Sequence, residues 1–238
     1  MSPLRPKQLT FLDYRKRTGH GGPRPGAGRP RGPRPRVLHR EREAVPLDCP
    51  VHVTLRVRPN LISLRDIRLV REWRRSLAEA CERGNFRVAH YSLQGDHAHL
   101  IVEAHGKFAL ACGMKSIAAR LARAVNRTSG RSGRVLDSRY HHRSLRSPRE
   151  VRRALAYVLL NARRHLAKRR HVSQTDAKLD PASSARWFDG WRREVEIPVA
   201  NLLPEVARAR SWLLRVGWRR HGLVDPAELP REAAVATM

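Results

Sequence analysis

Phe86-Arg87-Val88-Ala89-His90-Tyr91-Ser92-Leu93-Gln94-Gly95-Asp96-His97-Ala98-His99-Leu100-Ile101-Val102-Glu103-Ala104 is the stretch whose reading decides the fold. Two apolar-rich runs flank Gln94-Gly95-Asp96, a turn-forming triplet, so the segment reads as two antiparallel strands, Phe86 to Leu93 and His97 to Ala104, joined tightly. Side chains alternate across a strand, so His97 and His99 share one face while Ala98, Leu100 and Val102 point to the other, where helices can cover them. Working outward, Val51, Val53, Leu55 and Val57 alternate with His52, Thr54, Arg56 and Arg58. That is the period of a half-buried strand. Leu64 to Arg83 carries Ile67, Val70, Trp73, Leu77 and Cys81 at helical spacing and is stopped by Gly84-Asn85. A second helix is expected from about Lys107 to Asn126, with Leu110, Met114, Ile117, Leu121 and Val125 on one side. A short strand is expected near Arg134 to Leu136. Ser147-Pro148-Arg149-Glu150 then supplies an N-cap, a proline at the first helical position and a capping-box glutamate, starting a helix that is expected to run to about Arg169.

The resulting order is strand, helix, strand, strand, helix, strand, helix. It fits an α+β fold of ferredoxin-like or RRM-like type, an antiparallel sheet with helices on one face. Three segments are expected: a disordered Arg/Pro/Gly-rich basic arm over 1–48, the α+β domain over 49–172, and a Trp-containing helical extension over 173–238, with a helix at about Pro204 to Val216. The arm has too little apolar surface to fold. Its Gly28-Arg29-Pro30-Arg31 core suits either a solvated phosphate-gripping tail or an AT-hook-like insertion of Arg29 and Arg31 into a narrow minor groove.

Composition narrows the partner. The chain has 238 residues, with 49 Lys and Arg against 21 acids, for a net charge of +28. Self-repulsion at that charge is offset by a polyanion, and each phosphate neutralised releases counterions, so nucleic acid is the natural partner. No apolar run is long enough for a membrane span, and no signal-peptide pattern opens the sequence. Three scattered cysteines, Cys49, Cys81 and Cys112, fit a reducing cytoplasm and neither a disulfide framework nor a zinc knuckle.

Two imidazoles side by side on a strand can hold one divalent metal. With 12 histidines in the chain the pair is not diagnostic by itself. Tyr157 and Asn161, at i and i+4, stack on one side of the last core helix. They flank its apolar stripe of Val151, Ala154, Leu155, Val158 and Leu159, towards Arg153 and Arg164. A tyrosine there can reach a metal on the neighbouring strand, and an asparagine amide oxygen is a further hard ligand. Arg120, Arg123, Arg127 and Arg131 form a basic run that suits DNA backbone contact or a solvated face. Arg139 and His141, around Tyr140, suit phosphate binding, and Tyr140 is the rival nucleophile. The tryptophans Trp187, Trp191, Trp212 and Trp218 read as packing for the C-terminal segment.

Gly95-Asp96-His97-Ala98-His99-Leu100-Ile101-Val102, followed by Ala156-Tyr157-Val158-Leu159-Leu160-Asn161, resembles the HUH single-tyrosine transposases, most closely the REP-associated tyrosine transposases of bacteria. The resemblance spans about residues 50 to 170. Ala98 is smaller than the apolar residue often found between the histidines, and Ala162 stands where many relatives have proline. The resemblance implies cleavage and transfer of single-stranded DNA at or near hairpins through a 5′-phosphotyrosine link. Tyr157 would be the nucleophile, and Mg²⁺ or Mn²⁺ would sit on His97, His99 and Asn161. From the basic arm, the arginine runs and the cluster around Tyr140, the expected DNA contacts are Arg29, Arg31, Arg120, Arg123, Arg127, Arg139, His141, Arg153 and Arg164. The expected protein is bacterial, cytoplasmic and nucleoid-associated, a monomer or homodimer. The alternatives are a non-catalytic RRM-like binder, which would want aromatics where His97 and His99 stand, and a replication initiator or relaxase. The latter are often larger, and no Walker-type phosphate loop is present here.

Overall fold

The structure, a computed structural model, describes residues 44–169, 178–196 and 203–230. Residues 1–43 of the expected 1–48 arm, Arg29 and Arg31 among them, lie outside them, and Val45 is buried in the core of the domain. Five strands form one sheet: β1 Val51–Arg56, β2 Glu82–Arg83, β3 Phe86–Leu93, β4 His97–Ala104 and β5 His141–Ser144, in the spatial order β2-β3-β4-β1-β5. Every neighbouring pair is antiparallel. The hairpin of β3 and β4 is as read, and β4 crosses back to pair with β1, setting Thr54 opposite His99 and His52 opposite Ile101.

The alternation in β1 and β4 sorts the sheet into two faces. Val51, Val53, Leu55, Leu100 and Val102 are buried beneath α1 (Ile67–Ala78) and α2 (Gly106–Thr128), with Trp73, Leu77, Leu110, Met114 and Leu121 filling the layer. α1 is shorter than its apolar spacing suggests. Asp66 caps its start by accepting from the Arg68 N–H, and Glu82–Arg83 leave the helical register to pair with β3. The strand expected near Arg134 to Leu136 reduces to a single bridge between Leu136 and Val57. There the Arg134 guanidinium donates to the carbonyls of Leu136 and Asp137 and folds the segment on itself. The fifth strand falls instead at His141–Ser144.

The α+β antiparallel architecture holds, with α1 and α2 together on one face. α3 (Pro148–Leu159), started by the expected Ser147–Glu150 capping box, lies on the other. Its stripe of Val151, Ala154, Leu155 and Val158 buries against Ala89 of β3 and Ile101 of β4. This placement puts α3 over the histidine face of β4. The long final helix is interrupted at Leu160, and α4 (Asn161–Arg169) follows. No glycine or proline accounts for the break.

The C-terminal segments are mostly turns and loop. The helix expected at 204–216 shrinks to one turn, α5 (Trp212–Arg215), continued as a short 3-10 turn. Upstream of it the backbone turns to the sheet instead. Ala207 N–H donates to Val88 O, as Ser184 N–H does to Tyr91 O, while Leu93 N–H donates to Ala182 O, so these segments occupy the edge of β3 beyond β2. Covering an edge satisfies its backbone groups and blocks pairing with other chains. Phe188, Leu214, Trp218 and Val224 bury against the core of α3. Trp212 is the exception among the tryptophans: it stays half exposed beneath Arg220.

Two buried carboxylates fasten this packing. Glu103 of β4 accepts from the backbone N–H groups of Arg210 and Ser211 at 2.8 Å each, ahead of α5, and from the Arg87 guanidinium. Glu205, 1% exposed, receives the Tyr91 hydroxyl, the Trp187 indole N–H and the Arg186 guanidinium, and pairs with Arg74.

Candidate active site

His97, His99 and Tyr157 come together although 58 positions separate His99 from Tyr157. The strand parity of β4 aims both imidazoles at α3, and their ring centroids lie 4.7 Å apart. Tyr157 descends from α3, and its hydroxyl is 3.4 Å from His99 Nε2. The phenol is 8% exposed, more enclosed than a flank position implies. Arg164, one turn into α4, stacks its guanidinium 5.7 Å from the Tyr157 ring centroid.

The hydrogen bonds fix the use of each ring nitrogen. His97 Nδ1 donates to Asp96 Oδ1 at 2.7 Å, which holds the Asp96 carboxyl below its usual range and leaves Nε2 with the lone pair in the neutral ring. His99 Nδ1 lies 3.2 Å from Thr54 Oγ1 and 3.3 Å from His52 Nε2. A proton on Nδ1 donated to these neighbours leaves His99 Nε2 as the acceptor facing Tyr157. Burial, helped by His52, His97, His165 and Arg164, pushes His99 down to about 2, so the ring stays neutral.

Asn161 is fully buried at the first position of α4, and both its amide oxygen and nitrogen lack a hydrogen-bond partner. A buried amide left unpaired costs about 1–3 kcal/mol. Among the described residues no group of three or more His, Cys, Asp or Glu forms a metal cluster. The orphaned Asn161 amide oxygen is a donor of a kind outside that set.

Two histidines not singled out from sequence join the site. His52, on β1, packs against both His99 and Tyr157, its ring 5.2 Å from the first and 5.8 Å edge-on from the second. His165 of α4 faces His97 across a cleft of about 450 Å³ that Arg65, Asp96 and Leu166 also line. The alternation of β1 already set His52 on the polar face. What was missing was the register that sets β1 beside β4.

The other expected residues are dispersed. His141 and Arg139 are exposed at the β5 edge, and His141 pairs with Thr54 and so shares the histidine face. Arg153 is exposed on α3, and Arg123 on α2. Arg120 donates to Ser76 and approaches Glu79, while Arg127 pairs with Glu72. These two clamp α2 to α1 on the sheet face away from His99. The rival nucleophile, Tyr140, packs against the core of that far face. Tyr91 is buried with its hydroxyl on Glu205 and its ionisation pushed up by burial.

Burial also lowers His52 and His90 to about 4. Their folded values lie below the unfolded value near 6.5, so the stability they contribute is complete above pH 6.5. It is lost as pH falls from there towards 4, because the unfolded chain takes up the protons first. At about 1.4 kcal/mol per pH unit, His90 alone removes about 2 kcal/mol between pH 6.5 and 5. Urea denaturation at pH 7.5, 6 and 5 should show this fall, and His90→Gln should flatten it. Equal slopes in the two proteins would rule out His90 as the source.

A His-x-His strand facing a tyrosine on a helix, over an antiparallel α+β sheet, is the arrangement that the sequence resemblance led one to expect. Residues 48–146 match the family model described as transposase, IS200-like. The match covers His97 and His99 and ends ahead of α3, so Tyr157 and Asn161 lie beyond it. No curated protein is significantly similar to the chain. Among solved structures, one of a REP-associated tyrosine transposase bound to a REP hairpin is similar at 14% identity and a TM-score of 0.42, over 54% of this chain and 74% of that one. No helix of the described residues is long and apolar enough to cross a membrane.

Proposed function

We propose that the protein cleaves and rejoins single-stranded DNA, at or near a hairpin, with Tyr157 as the nucleophile, as a bacterial DNA transposase acting in the cytoplasm. The observation that carries the reading is the placement of the Tyr157 hydroxyl against His99 Nε2, between a helix and a strand far apart in sequence. The phenolic oxygen bonds to phosphorus while the bond to the 3′-oxygen breaks. The products are a 5′-phosphotyrosine and a free 3′-hydroxyl, and the proton lost by the phenol is balanced by the one gained at the 3′-oxygen. The ester keeps the phosphodiester's energy, so a 3′-hydroxyl can reverse the step without ATP. The phosphodiester's own charge repels nucleophiles, and a free phenol ionises only near about 10. A divalent metal would be held by His97, His99 and Asn161: with Nδ1 engaged in each neutral ring the lone pair lies on Nε2, and the buried Asn161 amide lacks a hydrogen-bond partner. Mg²⁺ or Mn²⁺ held there would polarise a non-bridging phosphate oxygen. Imidazole ligation favours Mn²⁺ over the oxygen-seeking Mg²⁺. Arg164, stacked on the Tyr157 ring, holds positive charge beside the developing phenolate. Exposed Arg139, His141 and Arg153 are suited to contact the strand's phosphates.

The test is a covalent adduct. The protein is incubated with a hairpin-bearing single-stranded oligonucleotide and Mn²⁺ and run on a denaturing gel. A Mn²⁺-dependent band carrying both protein and DNA supports the reading. Retention of DNA binding with no adduct on any hairpin or unstructured strand would instead establish a non-catalytic RRM-like binder.

His52 is a positioning residue in this scheme: it holds the His99 ring through Nδ1. Loss of such an outer hydrogen bond to a metal-binding histidine costs about 10–100-fold in metal affinity. His52→Ala should therefore weaken Mn²⁺ binding by that factor in calorimetry without DNA. Unchanged affinity would assign His52 a packing role only.

A further inference from the structure

We infer that a second site, formed where the loop after β1 meets the C-terminal end of α2, binds phosphate groups of a polynucleotide backbone. The cavity holds about 610 Å³, and Arg58, Asn60, Arg68, Ser129, Arg131 and Arg134 are among the residues that line it. Four guanidiniums thus converge on one concavity. The carboxylate bound to any of them is Asp66, which takes Arg68. Arg134 is held by the backbone carbonyls of Leu136 and Asp137, which orient it and leave its charge uncancelled. Arg58 and Arg131 have no ion-pair partner among the described residues, and Arg131 Nη1 is a buried donor with no acceptor.

That pattern departs from the rest of the molecule. Six arginines that tie elements together, Arg65, Arg74, Arg87, Arg120, Arg152 and Arg186, each meet a carboxylate. A structural cluster would be compensated in the same way, because like charges in a cavity repel. Three uncompensated guanidiniums outweigh the roughly half negative charge at the end of the α2 dipole. Hydroxyls from Thr128 and Ser129 add neutral donors on the same wall. Phosphate suits this set, since guanidinium forks bind it bidentately.

The location connects the cavity to the active-site cleft. The loop that walls it with Asn60, Leu61 and Ile62 turns its next residues, Ser63 and Arg65, to the cleft beside His97. Val57 N–H donates to Asp96 O and Leu64 N–H to Gly95 O, so both ends of this loop are fastened to the turn that bears His97. A strand leaving the cleft would cross one short loop to reach the cavity. Asn60 stands there in the left-handed region, φ 66°, a conformation asparagine tolerates better than most side chains.

The inference rests on the DNA partner of the proposed function and not on the cut. Binding of fluorescein-labelled oligo(dT) to the full chain in EDTA is measured over a range of salt. Each single-strand phosphate neutralised contributes about 0.7 to the slope of log K against log salt, so the double substitution Arg58→Gln, Arg131→Gln should lower the slope by about 1.4. Arg208→Gln, Arg215→Gln, an exposed pair on the C-terminal segments, should change it by less than half of that. Equal falls in both doubles would reduce the cavity to part of a diffuse basic surface and overturn the proposal. So would an unchanged slope in the cavity double. Failure of the unaltered protein to bind oligo(dT) would instead remove the DNA reading itself. Calorimetry with inorganic pyrophosphate separates the phosphate sources. Saturable binding lost in the cavity double, with the DNA slope intact, would assign the site to a free phosphate ligand and overturn the polynucleotide claim.

Discussion

Tyr157→Phe is expected to abolish the covalent DNA adduct while leaving the fold and DNA binding in place. The substitution removes one oxygen, whose polar contact among the described residues is the 3.4 Å approach to His99 Nε2. That distance is long for an O–H···N bond, so the stability change should stay within about 1 kcal/mol. The rate effect is of another order. Nucleophiles that act as a unit with their activating groups lose about 10⁴-fold or more when removed. Tyr140→Phe should leave the adduct intact, because Tyr140 packs on the far face of the sheet. An adduct surviving in Tyr157→Phe and vanishing in Tyr140→Phe would reverse the assignment. Asn161→Ala serves as the companion variant: it removes an amide that already lacks partners, so it should cost metal binding more than stability.

The second large effect is on stability. Glu205→Ala is expected to destabilise the protein by about 3 kcal/mol, lowering Tm by roughly 6–12 °C. The carboxylate is 1% exposed and receives groups from α1, β3 and the segment around Ala185, so its loss leaves the cations of Arg74 and Arg186 unbalanced. Breaking a buried pair commonly costs about 3–5 kcal/mol. The low end applies because those arginines retain 22% and 17% side-chain exposure. Glu205→Gln, which keeps the shape and some acceptors, should cost less than the alanine. A Tm within about 2 °C of the unaltered protein would show that the network contributes orientation and not stability. Because this network and Glu103 fasten the C-terminal segments over the core of α3, their loosening should also blunt adduct formation through Tyr157.

Most of the sheet was legible because it rests on a two-residue period. The turn Gln94-Gly95-Asp96 and the alternation on either side of it determine the hairpin and put His97 and His99 on one face. The Ser147–Glu150 capping box determines where α3 starts for the same local reason. Element ends were less legible. α1 stops at Ala78 because Glu82 and Arg83 gain a pairing partner in β3, and partners distant in sequence leave no local mark. The fifth strand lies at His141–Ser144 and not near Arg134 for a like reason: side-chain bonds from Arg134 to its own backbone win over a ladder there.

The candidate site divides along the same line. The sequence by itself determined that His97 and His99 are neighbours, that Tyr157 and Asn161 follow on a helix, and that an excess of arginine calls for a polyanion. Only the tertiary structure decided which face α3 covers, and with it the approach of Tyr157 to His99. It alone brought in His52 and His165, through strand register and the break at Leu160. It also divided the arginines into clamps such as Arg120 and Arg127 and uncompensated cations such as Arg58 and Arg131. The physical reason is one of range. Periodicity and capping act within a few residues, whereas burial, register and charge compensation depend on what the folded chain sets opposite each side chain.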